Sequence, residues 1–292
     1  MRQATAALER ADNDACVLAG GQSLIPLLNQ RVLRPQYVID ISRLPQLQQL
    51  EATDKTLYLG AGVTQRQVER WAGIHWPLMT ETLALVGKPA TRNRGTVCGS
   101  LAHADPAAEL PAIALLTHAR LHLENSEDQR TVDATDFFIA TNKTVRNTNE
   151  LVTGVTFTRP VADSGQAWVE VAQRFGDLPW VGAGASMSPG NNGDATHVRL
   201  VFSGAGDCPW DASETLTQLG GVAQLEGDVG NPATLRSLLT EVADHAAIND
   251  SGTTSKSHRR RLIRTLGARA LALAHRRMRA GAPPSCSREA SK

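Results

Sequence analysis

The chain has 292 residues, 41% of them hydrophobic and 20% charged, with a formal net charge of +1, which excludes a disordered or membrane-embedded class and leaves room for two ordinary domains. So even a balance provides no whole-molecule field toward nucleic acid or an acidic membrane. Cys16, Cys98, Cys208 and Cys286 lie far apart without ligand spacing, which argues against a zinc or iron–sulfur centre on this chain; with no signal-peptide core and no long apolar run, a cytoplasmic protein is expected.

Ala4 to Arg10 reads as helix and Cys16 to Leu18 as strand. Leu18-Ala19-Gly20-Gly21-Gln22-Ser23 then interrupts the pattern. A bare strand-to-helix turn needs at most one residue with positive φ, so the second glycine indicates close approach to the backbone. Ser23 is a candidate N-cap for a helix through Gln30. Tyr37 to Ile41 and Thr56 to Ala61 are strands by β-branched content. Thr64 caps a helix carrying Val68 and Trp71, and Leu78 to Val86 supplies another. Thr91 to Ala104 is glycine-punctuated without helical periodicity, so a loop is expected. Asp105 as N-cap and Pro106 as first helical residue open an apolar helix to about Thr117.

Strand-like runs follow at Ala119 to Glu124, Glu150 to Thr158 and Trp168 to Arg174, with a linker at Pro160 to Gln166. Trp180 to Met187 and His197 to Ser203 alternate like strands joined by a hairpin at Pro189-Gly190-Asn191-Asn192-Gly193. Helices are expected over Ala212 to Leu219, Pro232 to Ala247 and about Ser257 to Arg279. The fold class is α+β in two units, 1–160 and 161–280, with 281–292 a disordered tail.

Thr96-Val97-Cys98-Gly99-Ser100 repeats the first bend's chemistry: small residues and hydroxyls ahead of a helix. Backbone N–H groups in such bends form anion-binding concavities, and hydroxyls add donors without bulk. Two of them could hold a pyrophosphate from both sides. Neither is GxGxxG or GxxxxGK(S/T), so the nicotinamide fingerprint and the P-loop are absent. Taken alone, two ordinary strand-to-helix turns explain these residues equally well.

A longer pattern surrounds them. LAGGQSLIPLLNQRVLRPQYVIDI, LGAGVT, RNRGTVCGSLAHADPAAELPA and ELVTGVTF, with Arg174-Phe175-Gly176-Asp177, Asp250-Ser251 and Ser257-His258-Arg259-Arg260, resemble the FAD-binding medium subunit of molybdenum hydroxylases. This is the xanthine, aldehyde and carbon monoxide dehydrogenase family, with a vanillyl-alcohol-oxidase-type FAD fold followed by a small antiparallel-sheet and helix domain. The resemblance implies FAD with its pyrophosphate against Ala19 to Ser23 and Thr96 to Ser100. It places Glu109 near the nucleotide, where the acid accepts ribose hydroxyls or satisfies a helix dipole. Val152 falls at an adenine or ribose contact or in plain core; Asp177 and Leu178 fall on a loop near the isoalloxazine, where Leu178 limits flavin access or simply packs.

There are departures from the family pattern. Members begin with an extra strand, whereas this sequence starts inside the first helix. Cys98 and Ser100 stand where many have glycine and asparagine, and Glu170 where some have lysine. Cys98 reads as a redox thiol or as a small buried residue.

Other chemistry is thinner. The eight histidines show no HExxH and no Cys/His cluster. His118 and His122 share helical spacing but lie in a strand-like run, which favours a solvated edge; His103 is a cofactor neighbour or a hydrogen-bonded spacer. No GxSxG supports hydrolysis. The last helix carries Lys256, Arg259, Arg260, Arg261, Arg264, Arg269, Arg276, Arg277 and Arg279 with no acid before Glu289. Leu262, Leu266, Ala270 and Leu273 dock it as an amphipathic helix, its basic face solvated or set against an acidic partner.

By the resemblance, partners are a small subunit with 2Fe–2S clusters and a large molybdopterin subunit, in a dimer of heterotrimers, with no nucleic acid and no membrane insertion. Electrons would pass from the clusters through FAD to an external acceptor, with no catalytic acid or base on this chain. A stand-alone FAD-dependent oxidoreductase and a non-catalytic nucleotide-binding scaffold are the alternatives.

Overall fold

The computed structural model describes residues 1–11, 14–189, 195–221, 232–249 and 254–281. The chain opens with α1 (Arg2–Arg10), β1 (Ala15–Leu18), α2 (Leu24–Asn29) and β2 (Tyr37–Asp40). β1 and β2 are parallel, Ala15 opposite Tyr37 and Leu18 opposite Asp40. Their crossover through α2 leaves the Gly20-Gly21 bend at the carboxyl end of β1, where open α/β sheets bind ligands. Ser23 occupies the N-cap position of α2 but makes no capping hydrogen bond through its side chain.

A short turn leads to β3 (Leu50–Ala52), β4 (Thr56–Gly60), α3 (Gln65–His75), α4 (Pro77–Leu85), α5 (Pro89–Arg94), α6 (Val97–His103) and α7 (Glu109–Leu116). Then come β5 (Arg120–Glu124), β6 (Gln129–Asp133), α8 (Ala134–Phe137), β7 (Phe138–Ala140), β8 (Lys143–Thr144) and β9 (Leu151–Thr158). Strands 3, 4, 9, 5 and 6 pair in that order as an antiparallel sheet. Period-two alternation points Leu57, Leu59, Leu121, Leu123, Val155 and Phe157 into one core with Leu101 and Leu110 of the helices.

The second unit is a meander of β10 (Gly165–Ala172), β11 (Pro179–Pro189), β12 (Ala195–Ser203) and β13 (Trp210–Asp211), followed by α9 (Ser213–Gln218), α10 (Pro232–Asp244) and α11 (Lys256–Arg279). α10 and α11 cover one face. The other face receives α7 of the first unit, and so every residue of α7 is buried and its sequence after Glu109 is apolar all round. Polar contacts complete the junction: Trp76 Nε1 donates to Gln166 Oε1 at 2.8 Å, and Arg277 donates to Gln166 O at 2.7 Å and pairs with Glu81.

The architecture is the expected α+β one, with several corrections. Thr91 to Ala104 is not loop but most of α5 and all of α6, helices too short to display a period. Asp105 does not cap α7; its carboxylate accepts from Ala107 N at 2.9 Å in a turn, and the helix starts at Glu109 after an Ala108 N-cap. His122 is not on an edge: β5 lies between β9 and β6, and the imidazole bonds Thr156 and Thr131. β10 begins at Gly165 within the expected linker. The turn residues of the β11–β12 hairpin beyond Pro189, Asp250-Ser251 and 282–292 lie outside the described residues.

Gly165 fixes how α11 sits on β10: a Cβ there would strike Ala274 O and approach Met278 N to 2.5 Å. Both neighbours are helix backbone, so relief requires moving α11. Gly165→Ala is expected to cost about 1–3 kcal/mol, the usual penalty of overpacking, read as a lowered denaturation midpoint in urea.

Candidate functional site

The two glycine-rich bends meet. A Cβ on Gly20 would collide with Arg94 O and reach Gly95 Cα at 2.7 Å, so the first bend lies backbone to backbone on the turn that precedes α6. Gly95 is packed less tightly, its Cβ position 3.2 Å from Gln65 Oε1 and 3.4 Å from Gln22 Cγ. Gly21 has φ +74°, the left-handed conformation that favours glycine. The N–H groups of Gly20, Gly21, Gln22 and Ser23 donate to no other described residue. They form an open set of amide donors, the arrangement that suits a phosphate.

The second bend is built differently. Thr96 is the N-cap of α6, and its Oγ1 accepts from Gly99 N at 2.9 Å. Ser100 N donates to Thr96 O at 3.2 Å, and Val97 N to Val63 O at 3.3 Å. Three of its amides are therefore spent inside the chain. Gly99 is explained by the cap itself, since Thr96 Oγ1 stands 2.7 Å from its Cβ position. What this bend offers the cleft is chiefly the hydroxyls of Thr96 and Ser100.

Between the bends lies a cleft of about 650 Å³, within the range of cofactor sites. Ala19, Gly20, Gly21, Gln22, Ser23, Thr96, Cys98, Gly99, Ser100, Glu109, Val152 and Leu178 all line it, as does His103. Leu18, Val97 and Asp177 do not. The Leu18 side chain turns toward Gly21, Val97 is fully buried in the core, and Asp177 is an exposed turn residue whose N–H donates to Arg174 O. At one end Gly87 (φ +53°) and Gly176 (φ +82°) touch, Gly87 O lying 2.8 Å from a Gly176 Cβ position, with Leu178 half-exposed beside them.

Sequence reasoning missed Gln65, Val86, Thr91, Arg146 and Glu150 in this wall. Arg146 brings a cation, held by Asn147 O at 2.9 Å and Glu150 O at 2.7 Å; Glu150 is fixed in turn by Arg130. No sequence motif marks Arg146 or Gln65: local bonds hold each residue, but what brings it into this wall is packing against distant parts of the chain. Gly176 lies within the Arg174 to Asp177 stretch that carried the resemblance.

Electrostatically the wall is unusual at Glu109. Burial, reinforced by Glu170 and Asp105, pushes its carboxyl up to about 8. At neutral pH it is protonated and can donate as well as accept. Burial also raises Glu170, although Trp168 Nε1 donates to it at 2.8 Å. A second acid thus stands close enough to Glu109 to raise its pKa. Cys98 is 1% exposed, its Sγ donates to Leu59 O at 3.6 Å, and burial pushes its thiol up to about 12. It is a core group, not a redox thiol.

Open amides at the carboxyl end of a parallel strand pair, hydroxyls opposite and an elongated cleft behind them define a dinucleotide-cofactor domain. Residues 1–160 match the family model for the FAD binding domain in molybdopterin dehydrogenase, and 166–274 that for the CO dehydrogenase flavoprotein C-terminal domain. The chain belongs to this family of FAD-binding medium subunits of molybdenum hydroxylases, and is an oxidoreductase flavoprotein with FAD as its cofactor. It is 32% identical to the 6-hydroxypseudooxynicotine dehydrogenase complex subunit alpha of Paenarthrobacter nicotinovorans, over 91% of this chain and 89% of that one. It is 30% identical to the carbon monoxide dehydrogenase medium chain of Hydrogenophaga pseudoflava, over 77% of each. The solved carbon monoxide dehydrogenase of H. pseudoflava lacking the Mo-pyranopterin moiety superposes with TM-score 0.86 at 26% identity, covering 94% of both chains. The donors present fit FAD: free amides for its diphosphate, hydroxyl partners for its sugar and polyol.

Two outcomes test the site. Gly20→Ala forces the bends apart and is expected to weaken FAD binding by about ten- to a hundredfold, the equivalent of a 1–3 kcal/mol backbone clash, measured by flavin fluorescence titration. Glu109 keeps in the folded state a proton that the unfolded chain releases, so its contribution to stability falls as pH rises from 4.5 through about 8. Glu109→Gln is expected to flatten that part of the pH–stability curve of the cofactor-free chain and to raise its melting temperature above pH 8.

Proposed function

We propose that this chain is the electron-transfer subunit of a multisubunit molybdenum hydroxylase, taking electrons from 2Fe–2S clusters of a small partner subunit and passing them through FAD to an external acceptor. Substrate oxidation then takes place on a large molybdopterin subunit, and the assembly is a dimer of heterotrimers in the cytoplasm. FAD supplies the chemistry, accepting single electrons and releasing pairs; the residues of this chain bind and orient it. Residues 1–160 carry the FAD site, with Leu18 to Ser23, Thr96 to Ser100, Glu109, Val152, Asp177 and Leu178 as its contacts. Residues 161–280 form the second domain and 281–292 a tail.

The observation that carries this reading is the cleft joining both bends, in a chain that matches medium-subunit families over nearly its whole length. That relatives are termed medium chains or complex subunits supports the partners. The exposed Phe175 and Leu178 beside the cleft mouth suit a protein neighbour at that end. No helix among the described residues is long and apolar enough to cross a membrane.

Anaerobic reduction separates this function from a self-sufficient flavoenzyme. Flavin in the isolated chain is expected to bleach with dithionite but with none of the organic substrates tried, and to bleach with substrate once the complex purified from its host is used. Substrate-driven bleaching of the isolated chain would establish the stand-alone alternative.

A further inference from the structure

One polar group in the cleft wall has no partner in the chain. Gln65, the first residue of α3, is 5% exposed, and its backbone N–H donates to Gly95 O at 2.8 Å, which pins it to the turn before α6. The residue belongs to the wall of the cleft, its Oε1 set against Gly95, another residue of that wall. The Oε1 atom is buried and accepts no hydrogen bond. An unpaired buried acceptor is costly, and native structures seldom keep one without a bound group to complete it.

The chemistry of the missing partner follows from what an amide needs. Oε1 requires a donor, and the oxygens of an ionised diphosphate only accept. A hydroxyl donates and accepts, so it satisfies the amide with either end turned toward it. FAD has hydroxyls on both sides of its diphosphate, in the ribityl chain and in the adenosine ribose. A run of contacts places Gln65 on the flavin side: Gln65 abuts Gly95, Gly95 N donates to Thr91 O, Thr91 packs on Gly87, and Gly87 on Gly176. Leu178, the cleft residue nearest in sequence to Gly176, is the one that the family pattern sets near the isoalloxazine. Arg146, Glu150 and Val152 take no part in that run.

We propose that Gln65 is a cofactor-binding residue that hydrogen-bonds a ribityl hydroxyl of FAD, completing the grip of the two bends from the wall between them. The proposal rests on the FAD reading of the cleft. It makes α3, through its capped first turn, part of the cofactor site, since the Thr64–Gln67 capping box holds the residue in place.

The test is Gln65→Leu in the full chain, with three measurements. FAD affinity is expected to fall about tenfold, the effect of one hydrogen bond lost from a buried site. The affinity for ADP, which has the diphosphate and adenosine but no ribityl chain, is expected to stay within twofold. The melting temperature of the cofactor-free protein is expected to hold or rise, because the unpaired acceptor is gone, while the FAD-induced increase in melting temperature shrinks. Unchanged FAD affinity would overturn the proposal, as a bound water rather than the cofactor would then complete the amide. Equal losses for FAD and ADP would move the contact to the adenosine side and overturn it too, and a less stable cofactor-free variant would make Gln65 merely structural. Failure of the flavin reading itself looks different: the unmodified chain would bind ADP but not FAD.

Discussion

The backbone contact of Gly20 with Arg94 and Gly95 is the constraint on which the site depends. It joins the parallel β1–β2 unit to the turn before α6, two parts of the chain some seventy residues apart in sequence, and no side chain could be interposed. Secondary contacts make the far side of this joint rigid. Thr64 and Thr96 form a β-bridge, Gln65 N donates to Gly95 O, and the buried Arg92 pairs with Glu69 while donating to Val86 O and Gly87 O at 3.0 and 3.2 Å. The last interaction matters because Gly87 shapes the cleft mouth. An arginine fork can hold a carboxylate and two carbonyls at once, which a lysine cannot.

The second domain acts on the site through α7. Because that helix lies between two sheets, its first residue, Glu109, is carried into a buried position, and the raised carboxyl pKa follows from the packing rather than from any local motif. Trp168 and Val201, both on second-domain strands, belong to the core of the first unit, so the two units share one packed interface. The Gly176–Gly87 contact at the cleft mouth is a further product of that interface.

How much of this was legible in the sequence depended on range. Thr64 announces a helix cap, and β-branched runs such as Tyr37 to Ile41 announce strands; each signal lies within one element, and each element formed, the cap as a full capping box with Gln67. The glycine pair at Gly20-Gly21 correctly indicated close approach of backbone, although the group approaching Gly20 is the chain's own Arg94–Gly95. α5 and α6 were not legible, because six and seven residues span fewer than two turns and an apolar period needs more. Asp105 carries a cap-like signature but spends its carboxylate on the Ala107 amide, a local competition that Asp often wins against a helix start. Gln65 carries no local signature, since its place in the wall depends on Gly95, thirty residues on, and on Gln22, more than forty residues back; Arg146 is held by carbonyls of its own turn, but what makes it a wall residue is its proximity to the distant Cys16.

The two bends look alike in sequence and divide the work unequally. In the first, four successive N–H groups have no protein acceptor, so any residue that disturbs its backbone removes donors directly. In the second, the cap from Thr96 to Gly99 and the bonds of Val97 and Ser100 engage three of the five amides, and the bend serves to hold α6 against the first one. Cys98 fits this inward-turned bend: its thiol points to Leu59 O in the core and is buried. The same asymmetry leaves the cleft with donors chiefly on one side, and on the wall between the bends the unsatisfied amide of Gln65 is the polar group left to complement them.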